Sequence, residues 1–174
     1  MVALLGLSLT TAVDIYTTSV KRDKEKELLS IGRQFRSAIG QYFESNQKTA
    51  GIEAKKEYPN SLQDLLQDSR SLSTKRYLRK VFIDPITGKA EWGEVRVGGR
   101  LVGVYSLSNQ MPIKQAFTEA EELQFNSKSK YSKWTFTYPA DLMSMPSKDT
   151  LKVTFSEPNA EVIKQETTKA QDEN

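Results

Sequence analysis

Apolar residues open the chain, and the first charge comes late. Met1 through Val13 carry no charged side chain, and Val2, Leu4, Leu5, Leu7, Leu9 and Val13 make the run greasy. Asp14 ends it. Farther on, Leu28, Ile31, Phe35, Ala38, Ile39 and Tyr42 recur at steps of three and four, which puts them in one stripe along a helix. Lys21, Arg22, Lys24, Lys26, Arg33, Arg36 and Gln41 fall on the opposite side of that pattern. The segment Lys21–Glu27 alternates signs at helical spacing, as solvated helices with local ion pairs do, each pair adding only a few tenths of a kcal/mol. Proline is absent before Pro59, and Gly6 and Gly32 do not interrupt the period. The pattern predicts one continuous helix over residues 1–47, apolar along 1–13 and amphipathic along 14–47.

Shorter elements follow over residues 48–156. A polar linker, Asn46–Lys56, leads to Tyr58-Pro59-Asn60-Ser61, where Asn60 or Ser61 can cap a short helix with Asp64 in its first turn. Leu62, Leu65 and Leu66 give that helix its buried face. A further helical turn is predicted over Lys75–Lys80, with Tyr77 and Leu78 inward. Asp84-Pro85-Ile86-Thr87-Gly88 reads as a turn, with proline fixing φ and glycine allowing a positive one. Strand character then takes over. Glu91–Val97 and Arg100–Ser106 flank Gly98-Gly99, a two-residue hairpin signal. Thr118–Glu121 has capping-box spacing for a short helix to Gln124. Tyr131–Tyr138 alternates, placing Ser132, Trp134, Phe136 and Tyr138 on one side and Lys133, Thr135 and Thr137 on the other. Leu151, Val153 and Phe155 alternate again in a last strand. From Glu157 to Asn174 the chain is polar and aperiodic, the pattern of a disordered tail. The order predicts an α+β fold, a long N-terminal helix packed on a small antiparallel sheet of three or four strands.

Composition narrows the chemistry. Histidine and cysteine are both absent, which removes Ser-His and Cys-His nucleophiles, imidazole and thiolate metal ligands, and disulfides. There is no phosphate-cradling glycine loop and no spaced carboxylate pair, so an enzyme is not expected. The net charge of +3 is uneven. From residue 157 onward five acids face two bases, giving −3 there and +6 on the residues before. Lys75, Arg76, Arg79 and Lys80 form the densest basic cluster and are the candidate contact for an anion. The stretch Val2–Val13 spans about 18 Å as a helix. A bilayer core takes about 20 apolar residues, so it looks like the later half of a membrane helix. It lacks the basic start and cleavage site of a secretory signal.

Three stretches carry a family resemblance. Met1-Val-Ala-Leu-Leu-Gly-Leu-Ser-Leu-Thr-Thr-Ala looks like the interior of the pilin N-terminal helix, and Glu27 through Phe43 like its later part. Tyr58-Pro-Asn-Ser-Leu-Gln-Asp-Leu-Leu, Tyr77-Leu-Arg-Lys and Asp84-Pro-Ile-Thr-Gly together resemble the family's loop region, and Tyr105–Ser108 and Trp134-Thr-Phe its strand motifs. In this order they resemble the type IV pilin-like proteins, and among them the pseudopilins of type II secretion, closest to the major pseudopilin. The resemblance covers roughly residues 1–138. The family's basic leader, cleaved glycine, methylated phenylalanine and nearby glutamate have no counterpart here, so the sequence is expected to start inside the helix.

The resemblance implies a mechanical role. Subunits would sit in the inner membrane of a Gram-negative bacterium, single-pass, with the head in the periplasm. They would join a helical filament through Val2, Leu4, Leu5, Leu7, Leu9 and Val13, with Gly6, Ser8, Thr10 and Thr11 letting helices approach. Leu28, Ile31, Phe35, Ile39 and Tyr42 would pack the helix on the sheet. Implied partners are copies of the chain, other pseudopilins and the inner-membrane assembly platform. No small-molecule substrate, nucleic acid or cofactor is expected. Calcium is the one ion the resemblance raises, with Asp84, Asp141 and Asp149 as oxygen-bearing loop candidates. Two other readings remain open: a minor or competence-type pilin contacting DNA, and a monomeric membrane-anchored periplasmic binding module.

Overall fold

The protein is described as a computed structural model covering residues 2–45, 56–70, 75–143 and 153–157; for residues 2–15 and for Glu121 only the backbone is described. One helix, α1 (Val2–Glu44), runs through 43 residues, about 65 Å at 1.5 Å per residue. Its stripe packs as expected. Leu28, Ile31, Phe35, Ala38, Ile39 and Tyr42 are all buried, joined by Leu29. A short helix, α2 (Leu62–Leu66), follows, with Leu65 fully buried and Leu62 and Leu66 against the core. Ser61 precedes it in extended backbone without a side-chain cap. Asp64 works instead, accepting the Asn60 N–H at 2.8 Å.

Four strands make one sheet: β1 (Gly93–Val97), β2 (Arg100–Tyr105), β3 (Thr135–Thr137) and β4 (Val153–Ser156). Their order is β3-β2-β1-β4, every pairing antiparallel. This is the α+β arrangement of a long helix on a small antiparallel sheet. The β1–β2 hairpin turns at Gly98 and Gly99, with φ of +57° and +80°; two positive values in succession are what a tight turn matched to strand twist requires.

The register carries one irregularity with a consequence for packing. Val95 pairs with Gly103, but Arg96 pairs with Leu101, leaving Val102 as an extra residue in β2. A regular strand would put Leu101 and Val104 on opposite faces. The bulge puts both in the main core with α1, and turns Val102 and Tyr105 to a second, smaller cluster with Val95. Aromatic rings fill the main core. Phe35 meets Trp92 edge-on at 5.0 Å and Phe82 at 5.8 Å, while Phe125 stacks on Trp134 and meets Phe136 edge-on. Such contacts add about 0.5–1.5 kcal/mol each beyond area burial.

Several sequence expectations need correction. Lys75–Lys80 is not helical; the N–H groups of Tyr77 and Leu78 both donate to the Leu65 carbonyl at 2.9 Å, which pins the segment against α2 as an irregular stretch with bends at Tyr77, Arg79 and Lys80. Leu78 is buried as expected and Tyr77 half-buried. The capping box at Thr118 does not form, and the chain makes a 3-10 segment, Ala120–Phe125, without a side-chain cap. Strand pairing covers only Thr135–Thr137 of the alternating stretch, because Tyr131–Lys133 closes a 3-10 turn and the Trp134 N–H donates to the Tyr131 carbonyl. All three residues of β3 are buried, so its two faces do not divide into core and solvent. Arg36 is not on a solvated face; it is buried and donates through Nε to the Thr137 carbonyl at 3.1 Å.

Candidate functional site

Among the described residues no group of three or more Asp or Glu converges to hold a metal. Asp84 is fully buried and serves the fold. Its Oδ1 accepts the Ile86 N–H at 2.8 Å, its Oδ2 accepts the Ser106 hydroxyl at 2.6 Å, and its carbonyl takes the Gly88 N–H, closing the Asp84–Gly88 turn. Gly88 has φ +75°. Asp141 is exposed, and Asp149 lies outside the described residues.

The surfaces that can act are those of α1 and the basic cluster. Along α1 the packing is held by charged side chains at four levels. Glu25, buried on the stripe side, accepts the Tyr131 hydroxyl at 2.8 Å and the Ile113 N–H at 2.5 Å. Arg33 donates to Glu122 and Glu119 at 2.8 and 2.9 Å. Arg36 takes the carbonyl of Thr137. At the C-terminal end, Arg70 lies over the Tyr42 ring at 3.6 Å and donates to the Tyr42 carbonyl at 3.1 Å, where the helix dipole favours a cation. Asp68 holds Arg70 with both oxygens, at 3.0 and 2.9 Å, and also accepts the Tyr77 hydroxyl. Burial works to raise the Asp68 carboxyl, but its bonds to Arg70 and Tyr77 outweigh this and leave it below its ordinary value. For Tyr131, burial first, then the bond to Glu25 and its charge, push the phenol far upward.

These anchors span residues 25–45. Toward the N-terminus the helix leaves its own domain: Tyr16 to Val20 are all exposed. The side chains of Val2, Leu4, Leu5, Leu7, Leu9 and Val13 lie outside the described residues, though their backbone is helical. No helix among the described residues is long and apolar enough to cross a membrane.

Lys75, Arg76, Arg79 and Lys80 are exposed, and none has an ion-pair partner among the described residues. The bent backbone brings Arg76 and Arg79 to one shallow depression with Gln63, Asp64, Gln67 and Ser69 on α2 and its following loop, while Arg79 and Lys80 also border α1 near Gln34 and Gln41. Arg76, Arg79 and Lys80 therefore line two depressions rather than one helical face, and Lys75 borders neither.

Sequence reasoning missed Glu25, Glu122, Asp68 and Asp84 as buried anchors. A signal existed for Glu25, which stands three residues before Leu28 and so falls on the apolar stripe; a charge there needs an internal partner. Compared with protein-family models, curated proteins and solved structures, the chain matches none.

Proposed function

We propose that the chain is a structural subunit of a type II secretion pseudopilus, assembling through the apolar part of α1 into a helical filament that helps move proteins across the outer membrane. One observation supports this above the others. A single unbroken helix commits its residues 21–44 to its own domain and extends beyond it through exposed residues into an uncharged run. A helix that only completed a core would end where its partners end. The surplus, about 30 Å over residues 2–20, suits association with neighbours, and heterologous contacts repeated along an axis give a fibre rather than a closed ring.

In this reading Val2, Leu4, Leu5, Leu7, Leu9 and Val13 build the filament core. The subunit is held before assembly in the inner membrane, with its head in the periplasm, and its partners are further copies, other pseudopilins and the assembly platform. The work is mechanical, and needs no catalytic group or cofactor. Amine-reactive crosslinking of the chain in bacterial membranes tests it. A ladder of multimers is expected, shortened to monomer by Leu7→Glu; monomer alone in the unaltered chain would favour the anchored binding module instead.

One observation favours a second reading, a pilin that contacts DNA. The four exposed cations of residues 75–80 lack internal ion-pair partners among the described residues, and phosphate neutralisation by such groups drives sequence-independent binding. A DNA retardation assay separates the two. A salt-sensitive shift lost in Arg76→Gln/Arg79→Gln supports the DNA-contacting pilin, and no shift leaves the secretion subunit.

A further inference from the structure

Large apolar side chains are exposed at several places on the head, among them Ile83 and Phe155, and three gather at the end from which α1 emerges. Tyr16 is 71% exposed and Val20 is exposed beside it. They line a surface hollow with Thr17, Lys21 and Lys24 of α1 and with Ile86 and Gln110 from the loops of the domain. Met111, 65% exposed, is tied to the same place, because Lys21 Nζ donates to its carbonyl at 2.8 Å. Three large apolar side chains thus stand in the open at one end. Cations outnumber acids beside them: Arg22 and Lys24 are exposed on this turn of the helix, Lys26 is partly neutralised by Asp23 at 2.9 Å, and Glu27 is the one other exposed acid of the turn.

What lies beyond this end is set by the same helix, since residues 2–13 are uncharged. We propose that this proximal face of the head seats on the interface of an anionic bilayer, Tyr16, Val20 and Met111 entering the headgroup layer and Arg22 and Lys24 taking phospholipid phosphates. The inference deepens the membrane-held state of the reading above and rests on it. A tyrosine followed by cations just outside an apolar run is the order in which a membrane interface accepts side chains. The cations need not share one helix face. A seat perpendicular to α1 meets every side chain at its level, so Arg22 and Lys24 contribute from different sides. The Lys21 bond to Met111 then has a use: it fixes the loop of residues 110–114 at the level of the seat, and Glu25 holds the same loop from the next turn through the Ile113 N–H. The head would stand upright on the membrane before assembly instead of swinging about its stem.

The cysteine-free chain allows a direct test. Single spin labels are placed at Met111→Cys and, as a distal reference, at exposed Ser69→Cys, next to Arg70 at the far end of α1. The full chain is reconstituted in lipid nanodiscs of phosphatidylcholine alone or with an equal part of phosphatidylglycerol. Accessibility to oxygen, which enters lipid, is compared with accessibility to a water-soluble nickel chelate. In phosphatidylglycerol discs the label at 111 is expected to be shielded from nickel and exposed to oxygen, and the label at 69 the reverse. Each cation near an anionic surface is worth about fivefold in the seated population, so Arg22→Gln/Lys24→Gln should reduce the seated-to-free ratio about 25-fold. Both residues are exposed, so the fold is untouched. Equal nickel access at 111 and 69 would overturn the seat, as would protection that persists in phosphatidylcholine discs or in the double variant. The last two outcomes indicate a neighbouring chain as the cover. A chain that fails to stay with the discs would remove the membrane-held reading and the seat together.

Discussion

Replacing Gly32 with alanine tests how tightly α1 lies on the sheet. Gly32 is buried, and a Cβ built on it would sit 2.3 Å from both Cδ1 and Cε1 of Phe136. Carbon atoms in contact prefer about 3.5–4.0 Å, so more than an ångström must be found. The ring cannot supply it cheaply. Phe136 is fully buried in β3 and wedged edge-on against Phe125 at 5.2 Å, which itself stacks on Trp134. The helix must therefore lift from β3, loosening the contacts of Leu28 and Phe35 on either side. Overpacking of this kind costs about 1–3 kcal/mol. Against it, alanine in a helix interior gains about 1 kcal/mol over glycine. The clash is severe and its partner fixed, so the upper half of the cost range applies and the net loss is about 1–2 kcal/mol. For a chain of this length that lowers Tm by about 2–8 °C. Thermal unfolding followed by circular dichroism measures it, with Ser30→Ala, exposed on the same helix, expected to change Tm little or raise it. A Gly32→Ala variant as stable as its parent would refute the close approach.

Three further outcomes follow from the anchors. Glu25→Leu leaves the Ile113 N–H and the Tyr131 hydroxyl without their acceptor; a loss of about 2–4 kcal/mol is expected in urea unfolding, with faster amide exchange at Ile113 and Lys114. The Asp68 carboxyl is held below its ordinary 3.8 in the folded state, so its contribution is full above that value and lost as pH falls through the lower folded one. Asp68→Asn should accordingly be less stable at neutral pH but lose less of its stability on acidification, as pH-dependent Tm would report. The Tyr131 phenol moves the other way. Raised above its ordinary 10.0, it stabilises the fold below that pH and loses the contribution as pH rises beyond it. Burial also raises Tyr42, Tyr58, Tyr77, Tyr105 and Tyr138, but Tyr131 is pushed furthest. Tyrosinate absorbance should therefore show it ionising last, with alkaline unfolding, and Tyr131→Phe should take one phenol out of that final step.

Much of the architecture was legible because it rests on periodicity. The stripe Leu28–Tyr42 buried as its spacing required, and Gly98-Gly99 turned the hairpin because only positive φ closes it so tightly. What escaped depends on contacts distant in sequence. Lys75–Lys80 has helix-forming residues, yet the Leu65 carbonyl captures two of its N–H groups and holds it in an irregular, bent path. The Val102 bulge cannot be seen in a strand whose residues are apolar on both sides. Arg36 sits where the pattern calls for solvent, and only the fold of β3 across it reveals the Thr137 carbonyl it serves. The candidate surfaces divided in the same way. The basic cluster was visible as composition, whereas the proximal hollow joins Tyr16 and Val20 to Ile86 and Gln110, residues that nothing local connects.

Electron microscopy of the chain expressed in bacterial membranes and gently extracted goes to the heart of the matter. Fibres are expected, with the helices of residues 2–13 bundled along the axis and the heads arrayed outside. A field of separate particles, each with the mass of one chain, would contradict it.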